Sequence, residues 1–224
     1  MQDNLKNRRI FSYKELITVD IKDNSEALLD VRTYDPQIVA EYAQPDMRPY
    51  TGDIILVRES LAKMLAQVNK ALKSRGLRLK VVYGYRHPQV QKAYFSKRKG
   101  ELKKERPGLS DEELNALTHV FVAVPSVGGH PAGGAVDLTM IDGKGVEVDM
   151  GTAIADFSDP EKIRTFASGL TDEQRRNRQL LHDAMIQEGF APFYGEWWHY
   201  CYGDREWAKM CGKTPALYGP IAVS

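Results

Sequence analysis

Two short segments hold the residues best suited to chemistry. His130 and Asp137 fall in His130-Pro-Ala-Gly-Gly-Ala-Val-Asp137, and Glu196 and His199 in Glu196-Trp-Trp-His199. Two imidazoles and a carboxylate, with a second carboxylate three residues before one imidazole, are the inventory of a catalytic zinc site. Such a site has three protein ligands, an open position for water and one carboxylate to move protons. Neutral imidazoles with a single carboxylate suit Zn²⁺. The His-Glu-x-x-His helix of other zinc peptidases is absent.

Such a site needs elements that bring distant residues together. A Gly-rich loop entering a strand does this for the first segment. His130 sits in the loop, Gly133 and Gly134 let the backbone turn, and Asp137 lies inside the strand. Flanked by Ala135, Val136, Leu138 and Met140, Asp137 is an expensive charge that calls for a metal or a cationic partner. The bland alternative is a strand-end Asp capping a loop. In the second segment, positions i and i+3 of a regular strand face opposite ways. Gly195 offers a turn or bulge, so that Glu196 and His199 converge. Alone, that tetrapeptide reads equally well as core aromatics beside a surface Glu.

A cation is also needed for a developing oxyanion. Arg86 is the candidate, where the apolar run Val81-Val82-Tyr83 ends and Pro88 opens a helix. Taken alone it reads as a surface arginine. His87, His119 and His182 carry no ligand pattern; His182 is expected on the surface or flank of its helix.

The surrounding elements follow from periodicity and caps. Leu61, Met64, Leu65, Val68, Ala71 and Leu72 mark a helix over 59–75 with Gly76 past its end. Residues 77–85 read as a strand, and 88–99 as a helix. The charge-dense 97–106 reads as a solvated helix end or loop. Ser110 and Thr171 open capping boxes, the latter for a long helix to Glu188. Residues 120–124 are read as extended, 135–141 as a strand, and Asp142-Gly143 as a hairpin turn into 146–150. One or two strands fall in 190–202, interrupted at Gly195, and a short helix follows Asp204. The expected class is α+β, a central mainly antiparallel sheet with flanking helices and a zinc site in a cleft.

A chain of 224 residues is expected to form a single domain, 1–224. With 42% hydrophobic and 27% charged residues and a net charge of +1, it reads as an ordinary soluble protein. Charge gives no reason to expect nucleic acid or a membrane as partner. No signal-peptide pattern follows Met1, so a cytoplasmic location is expected, or a periplasmic one if a leader was removed. Cys201 and Cys211 form no disulfide framework, though a single bridge between them is open.

These motifs together resemble the VanX-type D-alanyl-D-alanine dipeptidases, zinc metallopeptidases related to D,D-carboxypeptidases and the sonic hedgehog zinc domain. The family pattern Ser-x-His-x-x-Gly-x-Ala-x-Asp is met by His130, Gly133, Ala135 and Asp137, and Glu-x-x-His by Glu196 and His199. Gly84-Tyr85-Arg86-His87-Pro88 resembles Gly-Tyr-Arg-Pro with His87 inserted. Asp149-Met150-Gly151-Thr152, followed by Phe157, resembles the dipeptidases' Asp-Met-Gly-Thr. The likeness spans about residues 28–203. It implies one zinc held by His130, Asp137 and His199, Glu196 as general base and acid, and Arg86 as transition-state stabiliser. It also implies a dipeptide ammonium held by an Asp and a Tyr, for which Asp156 and Tyr34 are nearest. Gly128 stands where the family has Ser, and the insert around 97–115 and the tail 210–224 are expected to reshape pocket access. The expected reaction is hydrolysis of D-Ala-D-Ala or a related small dipeptide. The alternatives are a peptidoglycan D,D- or L,D-carboxypeptidase and a non-catalytic zinc-containing binding domain.

Overall fold

The computed structural model describes residues 8–221. Its strands are β1 (Leu28–Asp30), β2 (Val39–Ala40), β3 (Leu56–Arg58), β4 (Arg78–Tyr83), β5 (Ala135–Ile141), β6 (Ala191–Pro192) and β7 (His199–Cys201). Its helices are α1 (Tyr13–Leu16), α2 (Arg48–Thr51), α3 (Glu59–Lys73), α4 (Pro88–Glu105), α5 (Asp111–His119), α6 (Asp172–Gln187) and α7 (Arg205–Cys211). Five strands form one sheet in the order β2-β4-β5-β7-β6, in which only β2 and β4 run parallel; β1 and β3 form a separate antiparallel pair. The chain has the α+β architecture read from its sequence, with helices flanking a mainly antiparallel sheet.

β5 is the hub. All seven of its residues are buried, as a central strand covered on both faces requires. Its neighbour β4 is backed by α3, whose Leu61, Leu65, Val68 and Leu72 are almost wholly buried. Asn69 locks the two together, since its Oδ1 accepts from Leu79 N at 2.7 Å and its Nδ2 donates to Asp35 Oδ2 at 2.8 Å. Capping boxes start α5 at Ser110 and α6 at Thr171 as the sequence predicts, and Asp204 caps α7.

Four local expectations need correction. Helix α4 runs on through the charge-dense segment to Glu105, because Leu102 is buried and Lys99 pairs with Asp111 across the α4–α5 hairpin at 2.6 Å. Residues 120–124 lie in turns and irregular backbone rather than a strand, and no strand among the described residues pairs with them. The hairpin turn at Asp142 forms, but its return side makes a single bridge, Ile141 to Glu147. His182 is buried, not on the helix surface, because Phe166 and Tyr194 cover it. Cys201 and Cys211 are thiols, not a disulfide.

The long connection from β5 to α6 is anchored by one side chain. Arg178, 1% exposed on α6, donates from Nε to Met150 O at 2.7 Å and from Nη1 to Lys162 O and Arg164 O at 3.0 and 2.6 Å. Trp197 completes the clasp, with N donating to Ile163 O at 2.9 Å and Nε1 to Thr152 Oγ1 at 2.8 Å. Burial lowers the guanidinium pKa to about 10, yet it stays charged at neutral pH and serves carbonyls that have no helix or sheet to bond them. Arg178→Ala strips three carbonyls, one buried and two part-buried, of their donor. We expect a loss of about 2–4 kcal/mol, seen by calorimetry as a Tm lower by roughly 6–12 °C for a chain of this size. An unchanged Tm would show that the connection is held by other contacts.

Candidate active site

Three strands bring their functional residues into one row. In the sheet register Tyr83 of β4 lies opposite Asp137 of β5, and Asp137 lies opposite His199 of β7. A register shift between Val81 and Tyr83 sets this row. His130 reaches it from the loop before β5, in a one-turn 3-10 helix closed by Gly133 at φ +69°, a conformation open to glycine without strain. The loop is strapped to the end of β4 twice: His130 Nδ1 contacts Gly84 O at 2.7 Å, and Arg86 N donates to His130 O at 3.0 Å. A carbonyl only accepts, so Nδ1 carries the proton and Nε2 offers its lone pair to the cluster.

His130, Asp137 and His199 thus present ligand atoms that all lie within 4.8 Å of one another. Asp137 Oδ2 is 3.2 Å from His130 Nε2, and Oδ1 is 2.9 Å from His199 Nδ1. Burial penalises the Asp137 carboxylate, but the two imidazoles outweigh it and hold its pKa well below the usual carboxylate range. Burial lowers His130 to about 4. Burial also opposes charge on His199, yet its bond to Asp137 prevails and raises it to about 9. Glu196 lies, as predicted, on the turn ahead of β7, with its N donating to Phe193 O. It is 8% exposed, and burial pushes its carboxyl up to about 8.

Arg86 follows β4. Its Nη1 donates to Gln91 Oε1 at 2.9 Å and its Nη2 lies 3.7 Å from Asp137 Oδ2. It is half-buried and lines the site rather than lying, as its position alone suggests, free on the surface. All five residues line one cavity of about 500 Å³. The insert forms one wall of it: Lys97, Arg98 and Glu101 on α4, with Val120 to Ala123 beyond α5. Gly128 also lines the cavity; a Cβ there would lie 3.6 Å from Gln91 Nε2. The described residues of the tail do not line it: Ala216 bridges to Ile21, and Ile221 N donates to Pro131 O.

Two candidate side chains are not brought to the cavity. Tyr34 is 43% exposed, donates to Glu59 Oε1 at 2.5 Å and lies beneath Lys63 of α3. Asp156 is exposed and accepts from Ser158 N at 3.1 Å, although its neighbours Ala155 and Phe157 do line the cavity. Sequence reading also missed three polar lining residues. Gln91 and Tyr94 share one face of α4 at i and i+3, a spacing that was there to be read. Glu206 faces the cavity from α7 beside His199; burial raises its carboxyl to about 7, and the charge of Asp204 adds to the shift. No short motif announces it.

Residues 22–215 match the peptidase M15 family, described as D-Ala-D-Ala dipeptidase. The chain belongs to this metallopeptidase family. A D-alanyl-D-alanine dipeptidase of Enterococcus faecalis is 31% identical over 169 residues, which cover 74% of this chain and 77% of that protein. One from Enterococcus faecium is 28% identical over 171 residues, covering 74% and 82%. A Synechocystis D-alanyl-D-alanine dipeptidase is 38% identical over 103 residues, but the match spans only 41% of that protein. Among solved structures, the LD-carboxypeptidase LdcB aligns at 21% identity with a TM-score of 0.48, covering 87% of this chain and 77% of that one.

In this dipeptidase-family chain the end of β4 tolerates no side chain at position 84. A Cβ on Gly84 would sit 2.4 Å from Leu56 O, so the strand end would have to shift and carry with it the carbonyl that orients His130. Gly84→Ala is expected to weaken zinc binding about 10- to 100-fold, the usual cost of losing a ligand's outer partner. Competition titration against a chelator measures it, and unchanged affinity would show that His130 is oriented without Gly84.

Proposed function

We propose that this chain hydrolyses the peptide bond of D-Ala-D-Ala or a closely related small dipeptide, using one zinc ion per chain. The observation that carries the reading is the convergence of His130, Asp137 and His199 within 4.8 Å, with Glu196 and Arg86 on the same cavity. The donor set fits zinc: two nitrogens and one carboxylate, buried, facing a cavity that leaves room for a further ligand. When bound, zinc supplies a Lewis acid for the scissile carbonyl and acidifies a water.

The chain's own residues supply the rest. Glu196, whose burial favours a carboxyl able both to take and to give a proton near neutral pH, accepts the proton of the attacking water and passes it to the leaving amine. Arg86, held by Gln91 and Asp137, faces the negative charge that develops on the scissile oxygen. Val82, Ile154, Phe157 and Trp198 line the same cavity and keep bulk water from the reacting bond, which strengthens each charge interaction there. Gly128 lines the cavity at a crowded point, where a Cβ would meet Pro131 Cδ at 3.3 Å and Ala123 Cβ at 3.5 Å.

Three kinds of variant separate the roles. Replacing His130, Asp137 or His199 by Ala is expected to lower zinc content; full zinc in all three would sink the ligand assignment. Glu196→Ala is expected to keep zinc and lower kcat by about 10²- to 10⁴-fold. Arg86→Ala is expected to keep zinc and lose about 2.7–4 kcal/mol in kcat/KM. The assay is amine release from D-Ala-D-Ala beside L-Ala-L-Ala and a stem pentapeptide. Zinc-dependent release from D-Ala-D-Ala alone supports the dipeptidase, whereas cleavage of the pentapeptide moves the function to a carboxypeptidase. No turnover of any substrate by zinc-loaded protein leaves a binding domain.

A further inference from the structure

The Arg86 guanidinium is held from a side that the reaction itself does not use. Its central carbon lies 4.2 Å from the centre of the Tyr83 ring and 5.1 Å from that of Tyr94. Both phenols donate to the same oxygen, Asp46 Oδ2, Tyr83 at 2.8 Å and Tyr94 through a short bond. Asp46 stands in the 3-10 turn Pro45–Met47, far along the chain from either partner. Its other oxygen, Oδ1, is buried with no hydrogen-bond partner among the described residues. A carboxylate placed there accepts from two part-buried phenols and leaves its second oxygen unserved, which is poor design for stability alone.

We infer that Asp46 is a positioning residue for Arg86, acting through Tyr83 and Tyr94. Two rings from different elements, β4 and α4, meet one side chain from a third. That junction fixes both ring planes against the guanidinium. The negative charge behind the phenols also enriches the ring faces that Arg86 meets, which strengthens the cation–π attraction. On its other flank Arg86 has Gln91 and Asp137, so the guanidinium is gripped on both sides while the residue lines the cavity. The inference rests on the reading of Arg86 as the residue facing the developing oxyanion.

A double-mutant cycle on the zinc-loaded protein tests it. Asp46→Ala is expected to lower kcat/KM for D-Ala-D-Ala about 5- to 30-fold, with zinc content unchanged. In an Arg86→Ala background the same substitution is expected to cost nothing further. Tyr83→Phe combined with Tyr94→Phe keeps both rings and cuts both bonds to Asp46, and is expected to match the Asp46→Ala loss. That second variant serves if Asp46→Ala folds poorly. An equal loss with and without Arg86 would make Asp46 a general structural residue and overturn the inference, as would full activity in Asp46→Ala or in the double Phe variant. If Arg86→Ala alone were fully active, the reading of Arg86 would fail first and the clamp with it; that outcome is visible before Asp46 is touched.

Discussion

A carboxylate in the middle of a fully buried strand is the constraint around which the molecule is arranged. Asp137 lies in β5 between apolar neighbours, where an uncompensated charge would cost far more than the whole fold is worth. Its compensation comes from three directions. His199 arrives as its cross-strand partner from β7, His130 from the loop ahead of β5, and Arg86 from the end of β4. Each of these needs its own support. The register shift in β4 puts Tyr83 beside Asp137, Gly84 allows the close approach to β3, and the two straps at Gly84 and Arg86 hold the His130 loop. The protein's own groups answer the charge in part, with one proton on His199 and a Glu196 whose burial favours the neutral form. The divalent cation proposed for the ligand cluster would complete the electrostatics that the sheet alone leaves unbalanced.

How legible this was depends on the range of the interaction. Local rules placed α3 and β5, and the capping boxes of α5 and α6, because periodicity and caps are read within a few residues. The four residues of the two chemical motifs were legible for a different reason: buried charge and imidazole among apolar residues violate the core pattern and so stand out. What failed was of two kinds. Residues 120–124 have the apolar content of a strand but no partner, and pairing is not a local property. Asp156 and Tyr34 were placed by likeness to relatives, and their side chains instead satisfy nearby groups, the Ser158 amide and Glu59. Arg178 and Asp46 were missed because their partners are distant in the chain, and Glu206 because an isolated polar residue gives no sign of where it will point.

The division of labour between sheet and loops explains why the site is both rigid and specific to position. Residues in sheet register, Asp137 and His199, have their spacing fixed by backbone pairing; no side-chain choice can loosen it. The groups proposed to act on the substrate sit just outside the strands. Arg86 follows β4 and Glu196 precedes β7, on a turn closed by the bond from Glu196 N to Phe193 O. This placement solves the geometric problem posed by Glu196 and His199 at i and i+3. Within one strand they would face opposite sides, whereas a turn ending at His199 lets both meet the cavity.

The same logic extends to the cavity wall. The α4–α5 hairpin would be dispensable to the sheet, since neither helix contributes to the β5 row. Yet Gln91, Tyr94, Arg98 and Glu101 line up along one face of α4, a run of about 15 Å at 1.5 Å per residue. Its first members touch Arg86 or lie against its ring contacts, and its last members close the cavity beyond Phe121. Under the proposed function, a helix that grips the cationic residue at one end and bounds the cavity at the other would couple substrate shape to the placement of that charge, whereas the proposed ligand cluster is tied to the sheet register.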